Sequence, residues 1–192
     1  MAPRKYTLGR RAGTAEETRR RIVEATYHLH GAKGIAATSL RDIAQRADVA
    51  LGTVYNHFPT YDDVIVACGE LTWELLRPPT PAIFEGIQER PKRIRTLVRE
   101  VFAFYLRFPK FGRARAERYA FTALDEGFKQ EEVGRRGMIE AAFAGKRISP
   151  RAKALAFALL DFTTYENLLE SGLSHTGAVD EITTTLLERT RP

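Results

Sequence analysis

Apolar positions along this chain recur at spacings of three and four residues, and no stretch alternates as a half-buried strand would. Thr14 and Glu17 stand as a capping-box pair ahead of Ile22, Val23, Ala25, Thr26 and Leu29, so a helix is expected to begin after Thr14 and end at Gly34. The capping signal recurs at Ser39 and Asp42, opening a short helix whose Leu40, Ile43, Ala44 and Ala47 share one face. Asp48-Val49 interrupts that pattern for a turn. In the next helix, about 50–58, Val54 and Phe58 lie on one face, while Thr53, Asn56 and His57 lie on the opposite one. Two short helices joined by a tight turn, the second with a small, polar outer face, form the plan of a helix-turn-helix. Beyond it, helices are expected at about 61–77, 91–107, 110–126, 130–145, 150–171 and 177–190, with Pro78-Pro79-Thr80-Pro81 after the first. No fixed-period repeat interrupts them, and the fold class is all-α.

Charge sharpens the picture in the first third. Residues 1–60 carry ten Lys and Arg against five acids, nearly all of the net +6, which favours a polyanionic partner for that part. Residues 1–13 are basic and aperiodic and read as a flexible arm, 14–60 as the helix-turn-helix domain, and 61–192 as a larger helical domain. Cys68, the single cysteine, excludes an intrachain disulfide framework and sits in what reads as a buried helix stripe. No secretory h-region follows the basic start and no apolar run approaches about 18 residues, so a soluble, cytoplasmic protein without membrane contact is expected.

From Thr38 through Ala67, TSLRDIAQRADVALGTVYNHFPTYDDVIVA resembles the signature of the TetR (tetracycline repressor) family. The shared elements are the Thr-Ser opening, Ile43-Ala44, Ala47 and Val49 about the turn, Gly52-Thr53, Tyr55-x-His57-Phe58 and the acidic start of the next helix. The resemblance implies a ligand-responsive repressor, a homodimer on a near-palindromic operator in double-stranded DNA, each subunit laying its recognition helix in a major groove. Carried over by position, Thr53, Tyr55 and His57 would contact DNA together with Ala50, Leu51, Gly52 and Asn56 of the same helix. Thr38 and Arg41 would add contacts from the second helix, and Tyr61 from the start of the fourth. The chain departs from the family pattern at Asp48, where Gly is usual, at Ala50-Leu51, where Ser and a basic residue are common, and at Tyr61, where Lys is common. The lost cations place weight on Arg4, Lys5, Arg10 and Arg11 of the arm, which would reach an adjacent minor groove or the backbone. Leu51 has two readings, contact with a thymine methyl or packing on a neighbouring helix.

Ten of the eleven phenylalanines and the one tryptophan lie beyond residue 60. Most must be core, and in the family this half also encloses an effector cavity. By resemblance, its candidates are Trp73, Phe102, Tyr105, Tyr119, Phe121 and Phe143, with Thr164 and Tyr165 as polar anchors, for a small apolar or aromatic effector. The run 113–118, with three arginines, reads either as a holder for an acidic effector or as a solvated helix face. The family pairs its subunits through the last two helices, and Leu155, Leu159, Phe162, Ile182 and Leu186 are the expected dimer interface. An effector acts only by favouring one arrangement of the DNA heads, and the helix at about 61–77 is the expected lever.

Two other functions stand beside this one. A helical-bundle enzyme needs chemistry that this sequence lacks: no histidine has Glu three residues before it, His28 and His30 point to different helix faces, and no catalytic or phosphate-binding motif occurs, so neither metal nor cofactor is expected. A DNA-binding regulator with a filled core and no effector, constitutive or partner-controlled, is the other alternative.

Overall fold

The structure, a computed structural model, describes residues 8–108, 110–143 and 148–189, with side chains from Gly13 onward. Every regular element among them is helical, and no described helix is long and apolar enough to cross a membrane. The chain divides into two compact units. One runs to Leu75 and takes in Glu117–Asp125; the other comprises Leu76–Ala116 and the residues from Glu126 onward.

The first unit contains α1 (Leu8–Lys33), α2 (Leu40–Ala47), α3 (Leu51–His57) and nearly all of α4 (Tyr61–Leu76). Its core is Ile22, Val23 and Ala25 of α1, Ile43, Ala44 and Ala47 of α2, Val54 and Phe58 about α3, and Val64 and Ala67 of α4. The expected boundary at residue 60 therefore falls too early, because α4 supplies part of the core that the three preceding helices need. The expected start of α1 after Thr14 is also corrected. The helix begins at Leu8, and the Thr14 carbonyl accepts a bond from the Thr18 hydroxyl inside it. Leu8, Arg10, Arg11 and Ala12 all favour helix, and Gly9 and Gly13 cost only about 1 kcal/mol each against alanine. At the other end Gly34, with φ of 96°, closes α1 by donating to the His30 carbonyl at 3.0 Å.

The second unit holds a 3₁₀ turn (Pro81–Phe84), α5 (Arg90–Arg107), α6 (Phe111–Ala116), most of α7 (Thr122–Ala142), α8 (Pro150–Leu159), α9 (Phe162–Glu170) and α10 (His175–Arg189). Arg93 ties it together. Its guanidinium donates to the carbonyls of Phe84 and Ile87 and to those of Ala141 and Ala142, which close α7, and stacks 4.6 Å from the Phe84 ring centroid.

Two helix boundaries differ from the sequence pattern. The break expected near 127–129 lies at 117–121 instead, where a second 3₁₀ turn (Arg118–Ala120) and extended Phe121 separate α6 from α7. Gly127 is carried inside α7. The single helix expected over 150–171 is two. Asp161 caps α9 by accepting from the Thr163 N–H at 3.0 Å, and the carbonyls left open where α8 ends are bonded by side chains. Arg135 takes Phe157, the Thr164 hydroxyl takes Ala158, and the Tyr105 hydroxyl takes Leu160.

Candidate nucleic-acid interface

The helix-turn-helix rests on local capping. Ser39 accepts from the Asp42 N–H at 3.1 Å while the Asp42 carboxylate takes the Ser39 N–H at 2.8 Å, a reciprocal pair that starts α2. Lys33 pairs with the same carboxylate at 2.8 Å and, with Ser39, holds it well below the usual carboxylate range. At the turn Asp48 adopts the left-handed conformation with φ of 53°, as the usual glycine would, and the Val49 N–H reaches back to the Ala44 carbonyl. Arg21 of α1 donates to the Ala47 and Asp48 carbonyls, a C-terminal cap for α2 that comes from another helix. Ala50 opens α3 without a side-chain cap.

These caps fix how α3 is turned. Val54 is fully buried and Phe58 is 2% exposed, with the Arg19 guanidinium 4.9 Å from its ring centroid. On the other side Gly52, Tyr55 and Asn56 are exposed, and Thr53 and His57 are partly so. Ala50 is exposed as well, and so is Arg41 on α2, which has no ion pair among the described residues. Leu40, Arg41, Leu51 and Tyr55 line a shallow open groove beside α3. Leu51 is half-buried against the core, in line with its packing reading.

Two of the expected contact residues have their hydroxyls engaged within the fold. Thr38 is buried, and its hydroxyl donates to the Gly34 carbonyl at 2.7 Å. Tyr61 donates its hydroxyl proton to the Ile35 carbonyl at 2.7 Å, so the same oxygen must accept from His30 Nε2, 3.0 Å away. Both side chains brace the α1–α2 turn through these bonds while also lining the open groove beside α3. Arg4 and Lys5 lie outside the described residues, and Arg10 and Arg11 fall within α1 with side chains outside them.

Sequence reasoning missed a second brace on that turn. The Glu117 carboxylate accepts the N–H groups of Ile35 and Ala36 at 2.7 and 3.0 Å, across more than 80 residues of sequence. Phe121 meets Tyr61 edge-on with ring centroids 5.5 Å apart, and Arg118 pairs with Asp125 at 2.6 Å. No spacing rule could have found a contact so distant along the chain.

The His30–Tyr61 link makes the unit sensitive to acid. Burial pushes the His30 imidazole down to about 4 from 6.5, so the unfolded chain binds a proton at higher pH than the folded one. The contribution is complete above pH 6.5 and is lost as pH falls from 6.5 toward 4. We expect ~2 kcal/mol less stability at pH 4.5 than at pH 7 from this group, and His30→Gln should flatten that part of the urea-midpoint profile. An unaltered profile in the variant would assign the loss elsewhere.

The expected effector and pairing residues fall in both units. Trp73, Tyr119 and Phe121 belong to the unit of the helix-turn-helix, with Tyr119 84% exposed. Phe102, Tyr105 and Phe143 are buried core residues of the second unit. The proposed polar anchors are already engaged, Thr164 with the Ala158 carbonyl and Tyr165 with His175 Nδ1 at 2.9 Å. Of the pairing set, Leu155 and Leu159 stay half-exposed, whereas Phe162, Ile182 and Leu186 are buried within the chain. Cys68 is buried, and burial pushes its thiol up to about 12.

Residues 22–68 match the sequence profile described as bacterial regulatory proteins, tetR family. The chain is 42% identical over 52 residues to the HTH-type transcriptional repressor KstR of Rhodococcus jostii, and 38% identical over 96 residues to the HTH-type transcriptional repressor Rv3405c of Mycobacterium tuberculosis. These matches span 27% of this chain and 24% of KstR, and 47% of this chain and 48% of Rv3405c. Among solved structures, multidrug binding protein EbrR complexed with imidazole matches with a TM-score of 0.69 at 23% identity, covering 100% of this chain and 98% of that one. A transcriptional regulator from Rhodococcus sp. Rha1 matches with a TM-score of 0.68 at 19% identity, covering 91% and 99%. The capped α2, the left-handed turn at Asp48 and the outward face of α3 all fall inside the segment that matches the tetR family profile.

Proposed function

We propose that the chain is a DNA-binding transcriptional repressor that reads a near-palindromic operator as a homodimer and is released by a small apolar or aromatic effector. The observation that carries this reading is α3, where buried Val54 and Phe58 hold one side while Tyr55 and Asn56 stand free on the other. Gly52 lets a DNA backbone approach, Thr53, Tyr55 and His57 contact phosphates, and Arg41 adds a cation from α2. Ala50 and Leu51 give the start of the helix an apolar rather than a cationic contact. The excess positive charge of residues 1–60 and the names of KstR and Rv3405c support the same reading. For pairing, half-exposed Leu155 and Leu159 on α8 join Leu168 of α9 and Leu187 of α10, which also keep accessible apolar area.

The test is selection of bound fragments from the source genome, then affinity measured against salt. Each phosphate neutralised should contribute about −0.9 to the slope of log affinity against log salt. A chain without residues 1–7 should bind more weakly and with a flatter slope, through loss of Arg4 and Lys5. Binding that ignores salt, or no selected fragment at low ionic strength, sinks the reading.

A second reading, a repressor without an effector, has one observation in its favour: Phe102 and Tyr105 are almost fully buried and the Tyr105 hydroxyl is already bonded. A metabolite screen by thermal shift separates the two.

A further inference from the structure

The second unit contains a knot of charged side chains that its fold alone does not satisfy. Arg115 lies near the end of α6, Glu131 and Arg135 one turn apart on α7, and Asp161 at the cap of α9. The Asp161 carboxylate meets Arg115 Nη2 at 3.0 Å and Arg135 Nη1 at 3.3 Å, and Glu131 Oε1 lies 3.2 Å from Arg135 Nε. The Arg135 side chain is 3% exposed and that of Glu131 9%. Asp161 is fully used, since its other oxygen caps α9. Arg115 Nη1 and Glu131 Oε2, however, have no hydrogen-bond partner although sealed from solvent, and equally buried Arg135 Nε faces Glu131 Oε1 at 3.2 Å without forming a hydrogen bond. Buried polar atoms are rarely left so, and three on neighbouring side chains point to a missing group.

The chemistry of that group follows from what is left over: two guanidinium donors and one carboxyl oxygen. A carboxylate supplies acceptors to both guanidinium groups. Its negative charge replaces that of Glu131, so that Glu131 takes up a proton and donates from Oε2 to the newcomer. The balance is then two arginine charges against Asp161 and the ligand. Burial already pushes the Glu131 carboxyl up, and Asp161 and Glu132 push it the same way, against the opposing pull of Arg135 and Arg115. Beside the knot the body of the ligand would meet rings. Phe111 is one helical turn before Arg115, Phe162 follows Asp161, and the Tyr105, Phe111 and Phe162 centroids lie 5.1–5.4 Å apart.

We propose that Arg115, Glu131 and Arg135 anchor the carboxylate of the effector, a monocarboxylic acid whose apolar body lies against Phe111, Tyr105 and Phe162. This rests on the reading of the second unit as the sensor and names the effector's class. The test is calorimetric titration of the full-length protein with benzoate, phenylacetate and octanoate, each against its amide, at several pH values. Carboxylates should bind at least tenfold more tightly than the amides, with one proton taken up and affinity falling as pH rises. Arg115→Gln should lose that preference, Arg115→Lys should keep part of it, and thermal melts establish that both variants fold. Equal binding of acid and amide, or none by any acid, overturns the proposal and leaves the knot as a site for buried water. Release of an operator fragment is measured separately. Acids that bind without releasing DNA uphold the anchor and sink the sensor reading, whereas release by other compounds with no acid binding upholds the sensor and sinks the anchor.

Discussion

Phe58→Ala is expected to destabilise the helix-turn-helix unit by about 3–5 kcal/mol and to abolish DNA binding. Phe58 is 2% exposed, ends α3, and packs with Val54, Ile22 and Ile43 in one core while Arg19 covers its ring. Truncation removes the whole ring and leaves a cavity between helices too short to close over it. The loss is a large fraction of the 5–15 kcal/mol that holds an ordinary domain folded. The informative comparison is Tyr55→Ala, three residues earlier and 49% exposed. That change should leave the urea midpoint almost unmoved, within about 0.5 kcal/mol, yet weaken operator binding. If Tyr55→Ala unfolds the protein, or Phe58→Ala leaves stability intact, α3 is turned the other way and the proposed reading face is wrong.

Arg135→Met is expected to cost about 3–5 kcal/mol, because it strands the Glu131 carboxylate without its cation and removes the bond to the Phe157 carbonyl. Adding Glu131→Leu should recover much of that loss, since a buried ion pair replaced by apolar groups of similar volume is often neutral. Equilibrium unfolding of the two single variants and the double variant gives the coupling. Additive losses, with no recovery in the double variant, would mean that the two side chains do not act as a pair. The Asp161 carboxylate should be left in place throughout, as it also caps α9.

The helix-turn-helix was legible because its signals are local. Ser39 and Asp42 are three residues apart, Val54 and Phe58 four, and each relation is set by helix geometry whatever the rest of the chain does. Asp48 in place of glycine was readable for the same reason, as a residue that tolerates the left-handed turn. The candidate interface was legible only in part. Spacing told which face of α3 is polar, but Thr38 and Tyr61 looked equally available until their hydroxyls were found bonded to the Gly34 and Ile35 carbonyls. Residue type gives a side chain's capacity to bond, not the partner that claims it.

By itself the sequence determined the all-α class, the two short helices and their turn, and the sign of the charge around them. Tertiary structure alone decided that Glu117 braces the α1–α2 turn, that the break between α8 and α9 brings Asp161 to Arg115 and Arg135, and that Ile182 and Leu186 are buried within the chain. A helical repeat states that an apolar face exists and must be covered. What covers it depends on elements tens of residues away, and no local period records that choice.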